Sequence, residues 1–187
     1  IYLLGYQLGD VFHQTITTAS LKGLANHHQF SLRDPLAATK ELLNTALELG
    51  ASIVAYSEAE KNIFKRLSKM TDMTNFANVP YINLAKAAKT WVNRFKRAEF
   101  SRLGPFRRGI DRHRERTMKR SLASIMRLTD YTAPSDYAPG KTTARLNAVC
   151  DALNRRNQIY NSLTAVQKAK ATKVLKHNKF DVKALDV

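Results

Sequence analysis

ASIVAYSEAEKNIFKRLSK, residues 51–69, changes within one short stretch from a strand pattern to a helix pattern. Ser52–Tyr56 is a short apolar run with β-branched members, which predicts a buried strand. From Ser57 to Met70, polar and apolar residues recur at helical spacing, which predicts a helix. A strand that leads directly into a helix is typical of α/β proteins, so we expect this class of fold.

The residues upstream of this unit predict a β-hairpin. Ile1–Leu8 alternates and is rich in aromatic and branched residues, and Val11–Thr18 contains several β-branched residues. The two segments are therefore expected to pair antiparallel across Gly9 and Asp10, with Ser52–Tyr56 in the same sheet. Further elements are predicted as follows: a helix from Asp34 and Pro35 to Gly50, a strand at Val79–Leu84, and helices around Trp91, at Met118–Leu128, at Thr142–Asn157 and at Ser162–Asp186.

Length and composition limit the classes of protein that this sequence can encode. The chain has 187 residues, of which 44% are hydrophobic, so it is long enough for one core and too apolar for wholesale disorder. Cys150 is the only cysteine, which excludes an internal disulfide and indicates a reducing, intracellular compartment. The longest apolar runs are far shorter than the roughly 20 residues that span a bilayer, so no membrane partner is expected.

Positive charge is the strongest global signal, and it is concentrated in one segment. The chain has 31 Lys and Arg against 15 Asp and Glu, for a net charge of +16. Residues 1–50 carry a net charge of −1, whereas Trp91–Leu128 has twelve basic side chains against Glu99, Asp111 and Glu115, a net +9. The candidate nucleic-acid-binding residues in this basic segment are Arg94, Arg97, Arg102, Arg107, Arg108, Arg112, Arg114, Lys119 and Arg120.

Three interpretations of the basic segment are open. Arginine binds phosphate bidentately, and the interspersed aromatic residues Trp91, Phe95, Phe100 and Phe106 are suited to base stacking, so nucleic acid is the expected partner. A solvated helix face with its aromatic residues in the core is the second interpretation, although such faces usually mix both signs. An anionic membrane surface is the third, but Gly104 interrupts any long amphipathic helix.

Two constellations could carry chemistry. His177 and Asp181 are four residues apart and would stand side by side on a helix, as a metal-bound carboxylate and a proton-transferring imidazole do. Glu58 and Glu60 follow the Ser52–Tyr56 strand, at the end of the sheet where α/β proteins bind ligands. Simpler interpretations stay open: an exposed histidine and acid on a terminal helix, and acids that complement a helix dipole.

Taken in order, these segments resemble the DEDD-type 3′–5′ exonuclease branch of the ribonuclease H-like superfamily. Ile1–Asp10 looks like the second strand of that fold, Ile53–Leu67 like its second motif, and Ser121–Leu128 like the helix before the last motif. His177-Asn178-Lys179-Phe180-Asp181-Val182 looks like the last motif itself. The resemblance implies a mixed sheet flanked by helices, with a helical, basic second half.

The same resemblance implies a set of roles for individual residues. Asp181 would be a metal ligand, Glu60 a second acid at the metal, and His177 the catalytic proton-handling residue, with Mg²⁺ or Mn²⁺ as cofactor. The family's Asp-x-Glu pair lies on a strand that would precede Ile1, so residues 1–187 are expected to form one ribonuclease H-like domain without its first strand. An ungapped comparison of the second motif places Lys61 at the acidic position.

Two hypotheses of different class follow from the sequence. The first is a nucleic-acid-binding domain with metal-dependent 3′–5′ exonuclease activity. The second is a catalytically inactive nucleic-acid-binding or structural module that uses the basic segment Trp91–Leu128.

Overall fold

The computed structural model of the chain describes residues 2–69, 78–103, 121–132, 134 and 142–186. The chain divides into two units, Ile1–Thr45 with Pro134–Lys183 and Ala46–Ala133 with Ala184–Val187. Both units combine strands with helices, which confirms the expected α/β class. No helix of the described residues is long and apolar enough to cross a membrane.

The described elements follow one another in chain order. They are β1 (Leu3–Leu8), β2 (Val11–Ile16), a 3₁₀ turn (Ala19–Leu21), α1 (Lys22–His28), β3 (Ser31–Leu32), α2 (Pro35–Glu48), β4 (Ile53–Ala55), α3 (Glu58–Lys69), β5 (Tyr81–Asn83), α4 (Leu84–Phe95), α5 (Arg97–Arg102), α6 (Leu122–Ile125), a 3₁₀ turn (Met126–Leu128), α7 (Thr142–Asn154), a 3₁₀ turn (Tyr160–Ser162) and α8 (Ala165–Lys183).

The predicted hairpin is confirmed. β1 and β2 are antiparallel with Leu8 opposite Val11, and Gly9 in the turn has φ of 55°, which glycine adopts without strain. β3 adds a short parallel pairing to β2, so the strand order of this sheet is β1-β2-β3. The helix start at Asp34 is confirmed as well, because the Asp34 carboxylate accepts from the Leu36 amide at 2.8 Å.

The core of the first unit lies where the hairpin meets helices from both ends of the chain. Ile16 of β2, Leu24 of α1, Leu153 of α7 and Val174 of α8 are each at most 1% exposed. Burying side chains of this size stabilises a fold by roughly 1.5–3 kcal/mol each. The C-terminal helices are therefore part of the first unit's core.

The second unit contains a parallel strand pair. β4 and β5 pair with Val54 opposite Ile82, and α3 follows β4 before the chain reaches β5. Our prediction that Ser52–Tyr56 joins the hairpin's sheet was wrong, because β4 and β5 form a separate two-stranded sheet. The strand is also less buried than predicted, because Ala55 is buried but Val54 is 41% exposed. Apolar composition carries no information about which strand becomes its neighbour.

The remaining predictions agree with the structure to different degrees. The predicted Val79–Leu84 strand is β5, and the last two predicted helices are α7 and α8, each shorter than expected. Of the predicted Met118–Leu128 helix, the described part forms α6 and a 3₁₀ turn. Most of the predicted 131–140 loop lies outside the described residues. Helix α1 was not predicted, because Gly23, Asn26 and the paired histidines have low helix propensity.

Candidate functional site

The His177–Asp181 pair has the geometry that the sequence predicts. His177 Nε2 lies 3.3 Å from Asp181 Oδ2 on one face of α8. The His177 side chain is only 11% exposed, whereas that of Asp181 is 40% exposed. The carboxylate therefore reaches solvent while it contacts an imidazole that is shielded from solvent.

A glycine in β1 lets α8 lie close to the hairpin beside this pair. A Cβ atom on Gly5 would lie 2.3 Å from Nδ2 of Asn178, the residue after His177. That separation is too short for any side chain at position 5 unless the Asn178 amide moves. Gly5 thus leaves the space that the Asn178 side chain occupies between α8 and β1.

Glu60, the third residue of the predicted catalytic set, lies in the second unit at the start of α3. Its carboxylate accepts a hydrogen bond from the Ser57 hydroxyl at 2.7 Å, and the same hydroxyl accepts from the Ala59 amide at 3.1 Å. Ser57 and Glu60 have the spacing of a capping box, a pair of side chains that stabilises a helix start. The described residues contain no group of three or more His, Cys, Asp or Glu side chains that could hold a metal ion.

The polar residues at the ends of β4 and β5 are bonded mainly to one another. Asn83 donates to Glu58 at 2.9 Å and accepts from the Ala85 amide at 3.0 Å, so it links the starts of α3 and α4. The hydrogen bond from Asn83, together with Lys61 and Lys86, holds the pKa of the Glu58 carboxyl below its ordinary value. These contacts form a hydrogen-bonded polar junction at the edge of this small sheet.

Tyr81 is the aromatic member of the same junction. Its hydroxyl donates to the Ser57 carbonyl, and the Lys61 ammonium lies 5.4 Å from its ring centroid. Burial, and after it the negative charge of Glu60, raises the pKa of Tyr81 to about 12. The phenol therefore stays protonated at neutral pH and keeps its hydrogen bond to the backbone.

Helix α4 has one cationic face. Val92 is 3% exposed and marks the buried side, with Trp91 partly buried next to it. Lys86, Lys89 and Arg94 are exposed, and at 100° per residue they lie about 120°, 60° and 160° around the helix from Val92. They thus share an arc of about 140° that excludes Val92, and we call this arc the cationic face of α4. No acidic residue occurs in α4 itself, and Glu58 at the start of α3 lies 3.5 Å from the Lys86 ammonium.

The chain continues this charge into α5. Arg97 and Arg102 are exposed, and Glu99, the only acid of α5, pairs with Lys96 at 2.9 Å. Phe95 is 64% exposed, with the Arg94 guanidinium 5.2 Å from its ring centroid. Arg94, Arg97 and Arg102 are thus exposed as a phosphate-binding role requires. The other predicted nucleic-acid-binding residues, Arg107, Arg108, Arg112, Arg114, Lys119 and Arg120, lie outside the described residues.

Lys86 and Lys89 are candidate binding residues that the sequence reasoning missed. That reasoning counted charge from Trp91 onward, because the density of arginine rises there. The occurrence of Lys86, Lys89 and Arg94 within one helix that has no acid was a usable signal, but it required the helix to begin at Leu84.

No family model, curated protein or solved structure matches this chain.

Proposed function

We propose that this chain is a nucleic-acid-binding domain of ribonuclease H-like type. The observation that carries the proposal is the cationic face of α4, which contains the exposed Lys86, Lys89 and Arg94 and has no acid among its residues. A face that serves only to keep a helix in solvent usually mixes charges of both signs. A face of one sign attracts polyanions, of which nucleic acid is the most common.

The side chains next to this face support the same partner. Arg97 and Arg102 extend the cations beyond the end of α4, and the exposed Phe95 ring is available for stacking against a base. Lys86 also lies 3.5 Å from Glu58, but its side chain is 79% exposed and such pairs contribute little. Lys86 can therefore exchange that carboxylate for a phosphate at small cost.

The experiment compares two variants that lose the same charge. The α4 variant carries Lys86→Gln, Lys89→Gln and Arg94→Gln. Fluorescence anisotropy with labelled single-stranded and duplex DNA and RNA should show affinity about tenfold weaker than for the wild type, since three exposed charge contacts contribute roughly 0.5 kcal/mol each.

The control variant neutralises three exposed cations on other elements of the chain, with Lys22→Gln, Lys40→Gln and Arg155→Gln. It lowers the net charge by the same amount and should retain most of the affinity. Equal weakening in both variants would mean that the α4 face has no special role. Absence of binding by the wild type would refute the proposed function.

A second candidate, metal-dependent phosphodiester cleavage, is favoured by the His177–Asp181 geometry. Asp181 offers the carboxylate oxygen that Mg²⁺ and Mn²⁺ prefer, and His177, held 3.3 Å from it, is placed to move a proton. Such ions activate water and stabilise the leaving oxygen when bound. One carboxylate is too few for a two-metal centre, and in the described residues Glu60 is bonded to Ser57. Cleavage that Asp181→Asn abolishes would establish this candidate.

A further inference from the structure

Helix α8 carries a row of exposed lysines that the basic segment does not include. The row consists of three exposed lysines at spacings of three and four residues, Lys176, Lys179 and Lys183, and the exposed Thr172 lies four residues before them. That spacing places them on one side of the helix. We refer to Lys176, Lys179 and Lys183 as the lysine ridge.

The lysine ridge is separate from the other two faces of α8. Ala171 and Val174 are buried in the core of the first unit, so the apolar side of the helix is already covered. Asp181 lies two residues from both Lys179 and Lys183, about 200° around the helix from each. The only acid of α8 therefore points away from the ridge and does not neutralise it.

The charge of the ridge is unfavourable for the helix itself. Lys176 and Lys179 are neighbours at a spacing of three, and Lys179 and Lys183 at a spacing of four, and like charges at these spacings destabilise a helix. The helix dipole favours a cation only in the last turn, which contains Lys183. The helix dipole does not account for a cation at position 176, which lies before the last turn. An anionic partner would relieve the repulsion along the whole ridge.

We propose that the lysine ridge binds the phosphate backbone of a nucleic acid, as a surface additional to the α4 face; this rests on the proposed function. The ridge extends about 10 Å along the helix, enough for contacts with a few phosphates. The Lys179 ammonium also lies 5.7 Å from the ring centroid of Phe12. The proposed contact is with the phosphate backbone, which positions a protein on a nucleic acid without reading its sequence.

An anionic membrane fits the ridge less well. Helices that lie on a membrane insert an apolar face next to their cationic one. The apolar residues Ala171, Val174 and Phe180 of α8 are instead buried in the protein. A polyanion that needs only charge, and no apolar face, is the better match.

The test is the salt dependence of binding for the ridge variant K176Q/K179Q/K183Q. If all three lysines contact phosphates, the slope of log K against log salt should become shallower by about 2.7 for duplex and about 2.1 for single strands. The control variant K22Q/K40Q/R155Q should keep a slope close to that of the wild type. Thermal unfolding followed by circular dichroism should show that both variants fold.

Three other results would overturn the inference. If the wild type binds nucleic acid and the ridge variant keeps the wild-type slope, the ridge is not a contact surface, and the proposed function stands without it. If the wild type does not bind nucleic acid, the proposed function itself fails. If the ridge variant loses binding only to vesicles of phosphatidylserine and not to nucleic acid, the partner is a membrane surface.

Discussion

Gly23 lies in α1 against the backbone of Gln158, where a Cβ atom on residue 23 would be 2.0 Å from the Gln158 carbonyl oxygen. The Gly23 amide also donates to the Gln158 side chain at 3.0 Å. Gln158 has φ of 62°, a backbone conformation that residues other than glycine seldom adopt. Contacts with Gly23, Ser20 and Asn154 hold it there.

We predict that Gly23→Ala lowers the free energy of unfolding by about 1–3 kcal/mol. Alanine gains roughly 1 kcal/mol of helix propensity over glycine, but the clash is with backbone, which cannot turn away as a side chain does. Asn26→Ala, at an exposed position of the same helix, is the control and should not destabilise the protein. Urea unfolding measures both; a Gly23→Ala protein as stable as the wild type would contradict this packing.

Glu58 gives a prediction about pH. Its pKa is lowered in the folded protein, first by the hydrogen bond from Asn83, so the folded state favours the ionised carboxylate. The stabilisation is therefore complete above the pKa of the unfolded chain and is lost as the pH falls through the lower folded value. We expect the wild type to lose more stability in acid than Glu58→Gln does. The measurement is the free energy of unfolding of both proteins between pH 7 and about pH 3. If it changes with pH equally in the two proteins, the hydrogen bond from Asn83 contributes nothing to stability.

Contacts between residues that are close in the sequence could be predicted from it, whereas contacts between residues that are far apart in the sequence could not. Asp34 followed by Pro35 defines a helix start by itself, and His177 and Asp181 need only a helix to meet. Gln158 supports Gly23 across 135 residues of sequence. Nothing in the neighbourhood of either residue indicates that contact, because it depends on how α1 and α7 pack.

At the scale of elements, the start of α3 shows how one residue can be assigned two roles. The family resemblance implies that Glu60 is an acid at a metal site. In the structure the Ser57 hydroxyl lies between the Ala59 amide and the Glu60 carboxylate, which is a helix-capping arrangement. The two roles make different predictions.

We predict that Ser57→Ala lowers the free energy of unfolding by about 1 kcal/mol, the usual contribution of an N-cap. Glu60→Gln should lower it much less, because an amide oxygen still accepts from Ser57 while the negative charge is lost. Mn²⁺ binding, measured by electron paramagnetic resonance, should be unchanged in Glu60→Gln if capping is the only role of this residue. Weaker Mn²⁺ binding in that variant would instead support the role of Glu60 at a metal.

The cationic helices were predictable in part. A count of charges along the sequence located Arg94, Arg97 and Arg102, which are exposed in the structure. It missed Lys86, Lys89 and the lysine ridge, because their charges are spread over helical turns at moderate local density. Such residues become a surface only once the helix is formed and its buried side is known.

At the scale of the whole molecule, the class of fold could be predicted but the arrangement of its sheets could not. Hairpin pairing follows from a short turn, so the β1–β2 register was accessible. β4 pairs instead with β5, which comes after α3 in the chain. Parallel strands are joined by a long crossover connection, so the sequence beside a strand does not indicate its parallel partner. The ribonuclease H-like sheet that the resemblance implies therefore remains a proposal.

We predict that the chain binds nucleic acid but has little or no nuclease activity by itself. Two divalent ions about 3.5–4 Å apart repel one another unless several carboxylates surround them, and the part of the chain that the structure describes has no group of three or more His, Cys, Asp or Glu side chains that could hold a metal ion. Labelled DNA and RNA should stay intact in Mg²⁺ and in Mn²⁺, with the wild type and Asp181→Asn behaving alike. Cleavage by the wild type that the substitution abolishes would show that the acids present suffice.

Binding of labelled nucleic acid by the unmodified chain, measured across a series of salt concentrations, tests the central claim most directly. The account predicts measurable affinity at low salt, and a linear fall of log K with log salt whose slope corresponds to several phosphate contacts. Each contact contributes about 0.9 to the slope on a duplex and about 0.7 on a single strand. Absence of binding at low salt, or an affinity that does not change with salt, would contradict the account.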